Sequence, residues 1–123
     1  MSYINAQRRT FPAGADLAAY RVVTLLNGEL ALCDPGEAPL GVTEYPVVDG
    51  DLASIRLLNC SGTIELEAAG AVAAGDLVVL AAGGTVVKDP GADARTVIGR
   101  SLVAVTAGGV IEVVPFGYGH NLS

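Results

Sequence analysis

The chain has 123 residues, of which 51% are apolar and 16% are charged, and its formal net charge is −6. This length suits one domain, and the high apolar fraction excludes intrinsic disorder, which requires low hydrophobicity and high charge. Lys and Arg together number only seven, too few to neutralise many phosphates. We therefore expect neither DNA nor RNA as a partner.

No apolar run approaches the roughly 18 residues of a membrane-spanning helix, so no membrane partner is expected. The N-terminal stretch has no apolar core of a secretory signal, which predicts synthesis in the cytoplasm without export. In that setting Cys33 and Cys60 are expected to be free, buried thiols.

Short apolar segments, many of them rich in β-branched residues, recur between Gly, Pro, Asn and Asp, a pattern typical of β-strands. The predicted strands are 20–26, 29–33, 40–43, 51–58, 63–67, 76–80, 85–88, 96–105 and 110–116. The segments 13–19 and 68–74 are Ala-rich, but they contain Gly and lack a helical period. The sequence therefore predicts an all-β fold, a small barrel or tulip.

Three Gly-containing separators predict hairpin turns. Asn27-Gly28 suits a type I′ turn, whose two central residues need positive φ, and Gly83-Gly84 offers the same freedom. A third turn is predicted at 107–109, between the last two strands.

An internal repeat is the strongest feature of the sequence. At an offset of 55, a set of residues from Ala18 to Gly36 recurs from Ala73 to Gly91. The first set is Ala18, Ala19, Val23, Leu25, Gly28, Asp34, Pro35 and Gly36, and the second is Ala73, Ala74, Val78, Leu80, Gly83, Asp89, Pro90 and Gly91. After a short insertion, 40–42 lies near 98–100 and 52–57 near 110–115. We therefore expect two similar β units, 18–58 and 73–115, bridged by the strand around Ile64.

The termini differ in composition from this repeat. We expect an N-terminal arm over 1–17, a β-barrel domain over 18–116 and a C-terminal tail over 117–123. The arm carries three apolar anchors and the only adjacent basic pair on an acidic chain, a composition that interfaces favour. These predicted partner-binding residues are Tyr3, Ile4, Arg8, Arg9 and Phe11. If the arm is floppy alone, deleting 2–12 should leave stability unchanged; the alternative is an ordinary disordered start.

The sequence offers little to catalysis. Its one histidine, His120, lies in the predicted tail, and one His with two separated Cys makes no zinc site. No known catalytic or phosphate-binding spacing is present. We expect no enzyme activity, no metal and no cofactor.

The acidic residues are expected to be structural or solvated. Asp34 and Asp89 each precede Pro-Gly, which predicts that each carboxylate caps its own turn. Asp49 and Asp51 flank Gly50, and Glu65 and Glu67 alternate along a strand, the usual pattern of a solvent face. A glycosidase pair or a cation site stays a less favoured alternative.

The run from Gly70 to Val114 resembles the small capsid decoration, or head cement, proteins of tailed bacteriophages. The similarity is carried by the Ala74-Gly75-Asp76 opening, the Gly hairpin, Ile98-Gly99 and the closing strand AGGVIEVV. The resemblance implies a β-barrel or β-tulip that binds the outside of an icosahedral head. It further implies homotrimers that bridge and stabilise major capsid protein subunits, with no catalytic residues.

Two other functions remain open. A carbohydrate- or surface-binding β module would usually need exposed Trp or Tyr platforms, and the chain has no Trp and four Tyr. A small β-barrel enzyme is disfavoured because no His, Cys or Lys stands beside a plausible partner. The sequence therefore favours a structural virion protein.

Overall fold

The computed structural model describes residues 8–58, 62–91 and 95–122, with 116–122 described by their backbone alone. Ten strands account for about half of these residues, and their helical content is one 3-10 turn at Ala82–Gly84. The strands are β1 Arg8–Pro12, β2 Val22–Leu26, β3 Glu29–Leu32, β4 Gly41–Thr43, β5 Leu52–Leu57, β6 Ile64–Glu67, β7 Leu77–Leu80, β8 Val86–Lys88, β9 Arg95–Ser101 and β10 Val110–Leu122. The all-β prediction is confirmed.

The strands form two five-stranded antiparallel sheets of the same topology. The first has the order β1-β5-β4-β2-β3 and the second the order β6-β10-β9-β7-β8. Each strand of the first sheet therefore has a counterpart five strands later in the chain. We call residues 8–58 the first unit and residues 62–122 the second unit.

Each sheet curls until its first and last strands meet. A parallel bridge joins Ala13 to Leu30 in the first unit, and another joins Ala68 to Val86 in the second. These bridges give each sheet a curled form with an inner face and an outer face. Curling reduces the exposed edge that a flat five-stranded sheet would present.

The sequence offset between counterparts grows by small insertions. It is 55 from Ala13 to Ala68 and 56 from Leu30 to Val86. After the next loop the offset is 58. Gly41 pairs with Leu57 in the first sheet, and Gly99 pairs with Pro115 in the second. The predicted later register, 40–42 with 98–100 and 52–57 with 110–115, therefore coincides with the sheet pairing.

Two apolar clusters form the core. The first unit encloses Ala13, Leu17, Val23, Leu30, Val47, Ala53 and Ile55. The larger cluster fills the second unit but also contains Val22, Cys33, Val42 and Leu58 from the first. Val22 pairs with Val42 across β2 and β4, so both side chains leave the outer face of the first sheet. The outer face of the first unit therefore completes the core of the second.

The sheets extend further toward both termini than the sequence predicts. Within the predicted arm 1–17, residues 8–12 form β1, which pairs with β5 from Arg8 opposite Arg56 to Pro12 opposite Leu52. Within the predicted tail, β10 continues to Leu122 and pairs again with β9 after a register shift. Strand pairing with distant partners orders both segments, although their own composition is polar and Gly-rich.

The strand around Ile64, predicted to bridge the units, is β6, a member of the second sheet and the counterpart of β1. It pairs with β10 as β1 pairs with β5. The repeat therefore begins at β1 and β6, earlier than residues 18 and 73. The sequence comparison missed this because RRTFPA and TIELEA share little besides the final Ala.

The predicted turns are only partly as expected. Asn27 and Gly28 have φ of 51° and 83° between β2 and β3, as a type I′ turn requires. Gly83 and Gly84 also take positive φ, but inside the 3-10 turn that joins β7 to β8. The turn at 107–109 follows an irregular segment, because β9 ends at Ser101 rather than at 105.

Candidate interaction surface

The described residues contain no grouping of three His, Cys, Asp or Glu side chains that could hold a metal ion. None of the helical structure in that part of the chain is long enough to cross a membrane. The features that remain are surfaces: strand β1, the junction of the two units and several exposed apolar side chains.

Strand β1 holds the described part of the predicted arm. Arg8 makes a double hydrogen bond to Glu44, with Nε–Oε1 and Nη2–Oε2 distances of 2.8 and 3.1 Å. The Arg9 guanidinium lies 5.4 Å from the centre of the Phe11 ring, within cation–π range. Phe11 is half-buried against the core of the first unit. Tyr3 and Ile4 lie outside the described residues.

The Arg8–Glu44 contact lowers the pKa of the Glu44 carboxyl. The hydrogen bond from Arg8 is the largest cause and outweighs partial desolvation, with further favourable charge from Arg8 and Arg56. The side chains of Arg8 and Glu44 are 50% and 37% exposed, so solvent screens the pair. This contact orients β1 and contributes little to global stability.

Hydrogen bonds lock the two units together at one seam. The Glu67 backbone N–H donates to the Tyr20 carbonyl at 2.9 Å, so β6 continues the hydrogen bonding of the first unit. Arg21 donates from Nη1 to the Gly83 carbonyl at 3.0 Å and pairs with Glu67 at 3.4 Å. The Gly83 N–H donates in turn to Asp34 Oδ1 at 2.8 Å. A basic and an acidic side chain from the first unit thus hold the 3-10 turn of the second.

A cleft of about 450 Å³ opens beside this seam. It is lined by Tyr20, Val42, Glu44, Arg56, Thr63, Ile64, Glu65 and Glu112. The Thr63 hydroxyl donates to the Glu112 carboxylate at 2.6 Å, and the Glu44 carboxylate accepts the hydrogen bonds from Arg8. The cleft is polar and charged, and its Arg56 is also engaged in an interaction.

Several large apolar side chains are exposed: Leu25, Leu26, Tyr45, Val48, Leu52, Leu102, Val103, Val110 and Val114. An open apolar groove of about 500 Å³ lies beside Val48, lined by Asp16, Leu17, Ala18, Leu32, Pro46 and Val47 as well.

The acidic residues mostly lie where the sequence predicts. Asp49, Asp51 and Glu65 are exposed. Asp89 accepts the Gly91 N–H at 2.9 Å, as a turn cap should, and pairs with Arg95.

The prediction for Asp34 is wrong. Its carboxylate accepts a hydrogen bond from the Gly83 N–H of the other unit and does not cap its own turn. The seam offers this N–H from 49 residues away, which no local pattern reveals. Glu67 is likewise drawn from the solvent face into the seam by Arg21.

Cys33 is buried and free, and its burial, followed by the nearby carboxylates of Glu37 and Asp34, raises the pKa of its thiol to about 12. Cys60 lies outside the described residues. The backbone of His120, in β10, pairs with that of Val97, in β9. His120 therefore belongs to a strand and not to a free tail.

The described residues form an all-β molecule of two related five-stranded sheets with several exposed apolar side chains. A family model for phage cement proteins matches residues 4–115, which is most of the chain and both units. The chain therefore belongs to the phage cement protein family, a family of structural proteins of the phage head.

A solved structure has the same fold. The N base of head fiber gp8.5 of bacteriophage phi29 matches with a TM-score of 0.73 and 22% sequence identity, covering 88% of this chain and 92% of that one. No curated protein sequence matches the chain.

Proposed function

We propose that this protein decorates the outer surface of an icosahedral phage capsid as a homotrimer and stabilises the shell by bridging neighbouring major capsid protein subunits. The family match over residues 4–115 carries the proposal. The function is exerted by binding alone, without a catalytic step or a cofactor. The protein is made in the host cytoplasm and becomes part of the virion.

Two features support bridging. The chain presents two units of one topology, so it can offer related surfaces to two capsid subunits at once. Its exposed apolar side chains occur in both units, for example Leu52 and its counterpart Val110, which are 69% and 37% exposed. Such side chains become favourable contacts when a partner removes them from water.

The N-terminal residues are the proposed attachment segment. Arg8 and Arg9 stand at the start of β1, and the preceding residues carry Tyr3 and Ile4. Because β1 is an edge strand and Arg8 binds Glu44, β1 begins beside the cleft that contains Glu44 and Arg56.

A deletion that tests this segment must leave strand β1 in place. Removing 2–12 would also remove β1 and the packing of Phe11, so the expectation of unchanged stability cannot hold for that deletion. Removing 2–7 leaves β1 intact, and the melting temperature should then stay the same.

The experiment adds purified protein to capsids of the phage that lack it, and measures occupancy after sedimentation. Wild type should saturate the capsids, and deletion of 2–7 should weaken binding at least about tenfold. Arg9→Ala should make binding less dependent on salt, whereas Lys88→Ala, a matched loss of one exposed positive charge on β8, should not. Failure of wild type to bind would refute the function, and full binding by the deletion would refute the attachment segment alone.

A further inference from the structure

The loops at one end of each unit are built on the same backbone frame. Leu17 and Val47 exchange two backbone hydrogen bonds in the first unit, with N–O distances of 2.8 and 2.9 Å. Val72 and Val105 exchange the equivalent two in the second unit, at 3.0 and 2.9 Å. The two loops can therefore be compared residue by residue.

The turn beside each of these pairs is also repeated. The Gly50 N–H donates to the Ala13 carbonyl at 2.9 Å in the first unit. In the second unit the Gly108 N–H donates to the Ala68 carbonyl at 2.7 Å. Both glycines have positive φ, 90° and 87°. Since the backbone is the same in both units, a side chain that occurs in only one of them is not needed to form the turn.

The open apolar groove of about 500 Å³ beside Val48 lies on this frame in the first unit, and we call it the Val48 groove. The residues at its rim are apolar only in the first unit. Leu32 pairs with β2 where its counterpart Lys88 pairs with β7. Val48 is 62% exposed, and its counterpart Thr106 likewise accepts the N–H of the residue three positions later. Because the second unit forms the same frame with polar residues at both places, the fold does not require an apolar rim.

Three exposed aspartates lie beside the Val48 groove. Asp16 lines the groove, and Asp49 follows Val48 in the chain. Asp51 donates its backbone N–H to the Val48 carbonyl at 3.0 Å. Asp16 accepts the Asp49 N–H at 2.9 Å, a bond that the second unit does without. The counterparts of the three aspartates are all uncharged: Ala71, Ala107 and Gly109.

An apolar groove with an acidic rim is complementary to an apolar side chain that is flanked by a basic one. An apolar side chain placed against Leu32 and Val48 would remove their exposed surface from water. The carboxylates repel one another, and a Lys or Arg of a partner would relieve this repulsion. The ion pairs between described residues do not involve these three aspartates, so their charges remain available to a partner.

We propose that the Val48 groove is a docking site for the major capsid protein and holds an apolar side chain of that protein that stands next to a Lys or Arg. This inference rests on the proposed function, and it adds a contact separate from residues 2–7. Strand β1 begins with Arg8 beside the cleft, whereas Ala13, directly after β1, accepts the Gly50 N–H beside the groove. The groove and the N-terminal segment therefore lie at opposite ends of β1.

The repeat supplies a matched control for a binding experiment on capsids that lack the protein. Ala18→Gln with Val48→Gln fills the groove with neutral polar side chains at two exposed positions, and should weaken capsid binding at least about tenfold. Ala73→Gln with Thr106→Gln makes the same change at the counterpart positions of the second unit and should bind as wild type does. Circular dichroism and melting temperature should show that both variants fold. Full binding by the groove variant, or an equal loss in the control, would overturn the proposal.

The acidic rim is tested by the salt dependence of the same binding. Asp49→Asn should make capsid binding less sensitive to salt, because one attraction to the basic side chain is lost. Glu29→Gln removes one exposed negative charge on β3, away from the groove, and should leave the salt dependence unchanged. Equal salt dependence of Asp49→Asn and wild type would refute a basic partner residue.

Two further outcomes separate this inference from the proposed function. If sedimentation velocity shows that the groove variant has a different oligomeric state from wild type, the groove is occupied by a second copy of the chain and the proposal is wrong. If wild type does not bind capsids, the proposed function fails and this docking site fails with it. Binding by wild type that the groove variant matches would refute the docking site and leave capsid binding standing.

Discussion

Tyr20 and Gly75 occupy the same position in the two units, and both have positive φ, 59° and 90°. Each donates its backbone N–H to the counterpart carbonyl, Thr43 for Tyr20 and Ser101 for Gly75, at 2.9 and 2.8 Å. Tyrosine is strained there, whereas glycine is not. Tyr20 also lines the cleft and gives its carbonyl to Glu67, so the strained residue stands at the seam between the units.

At position 20 a glycine variant should therefore be more stable than an alanine variant, the reverse of the usual order of stability. Tyr20→Gly should be more stable than Tyr20→Ala by about 1 kcal/mol, since both lose the side chain but only Ala keeps the strained backbone. Urea unfolding of the two variants measures the difference. Gly75→Ala serves as control and should cost about 1 kcal/mol, because the added Cβ meets nothing within 4 Å and only the backbone conformation opposes it. An Ala variant at 20 that is the more stable of the two would contradict the assigned strain.

Gly41 and Gly99 should be intolerant of any side chain. A Cβ on Gly41 would lie 2.6 Å from the Arg56 carbonyl oxygen, and one on Gly99 would overlap that of Val114. Gly41→Ala and Gly99→Ala should each lower the free energy of unfolding by at least about 2 kcal/mol. Gly28→Asn, in an open turn with positive φ, should change it by less than about 1 kcal/mol. Similar values for all three variants would argue against the close approach.

Arg21 should couple the two units. Arg21→Ala and Glu67→Ala should each destabilise the protein, and a double-mutant cycle should give a coupling energy of about 0.5 kcal/mol, since both side chains are partly exposed. The coupling should decrease in high salt. A coupling energy of zero at low salt would mean that Arg21 acts through the Gly83 carbonyl alone.

Glu44 should give a pH-dependent contribution at strand β1. Its folded-state pKa is lowered from 4.5, so the stabilisation is fully present above that value and is lost as pH falls through the lowered one. Wild type should exceed Glu44→Gln in stability by up to about 0.5 kcal/mol at about pH 6, and the difference should vanish once the pH is below the lowered pKa. A difference that grew on acidification would have the wrong sign for this pair.

The Cys33 thiol should resist alkylation in the folded protein. With its pKa raised to about 12, the thiolate fraction at about pH 8 is on the order of one in ten thousand, and the side chain is buried. Iodoacetamide followed by peptide mass spectrometry should modify the Cys33 peptide only after denaturation. Modification of this peptide at equal rates in native and denatured protein would contradict the burial.

The sequence by itself determined the local elements: the strands from Val22 to Val113, the Asn27-Gly28 turn and the later register of the repeat. Strand length, β-branched content and turn residues are encoded within a few neighbours, so a single sequence reveals them. Only the tertiary structure decided that residues 8–12 form a strand, because their partners in β5 lie some forty residues away. It also decided which of two similar positions is buried. Leu25 and Leu80 are the same residue type at equivalent positions of β2 and β7, but Leu25 is exposed and Leu80 is buried. The reason is that the outer face of the first unit packs on the inner face of the second, and among the described residues no such face packs on Leu25.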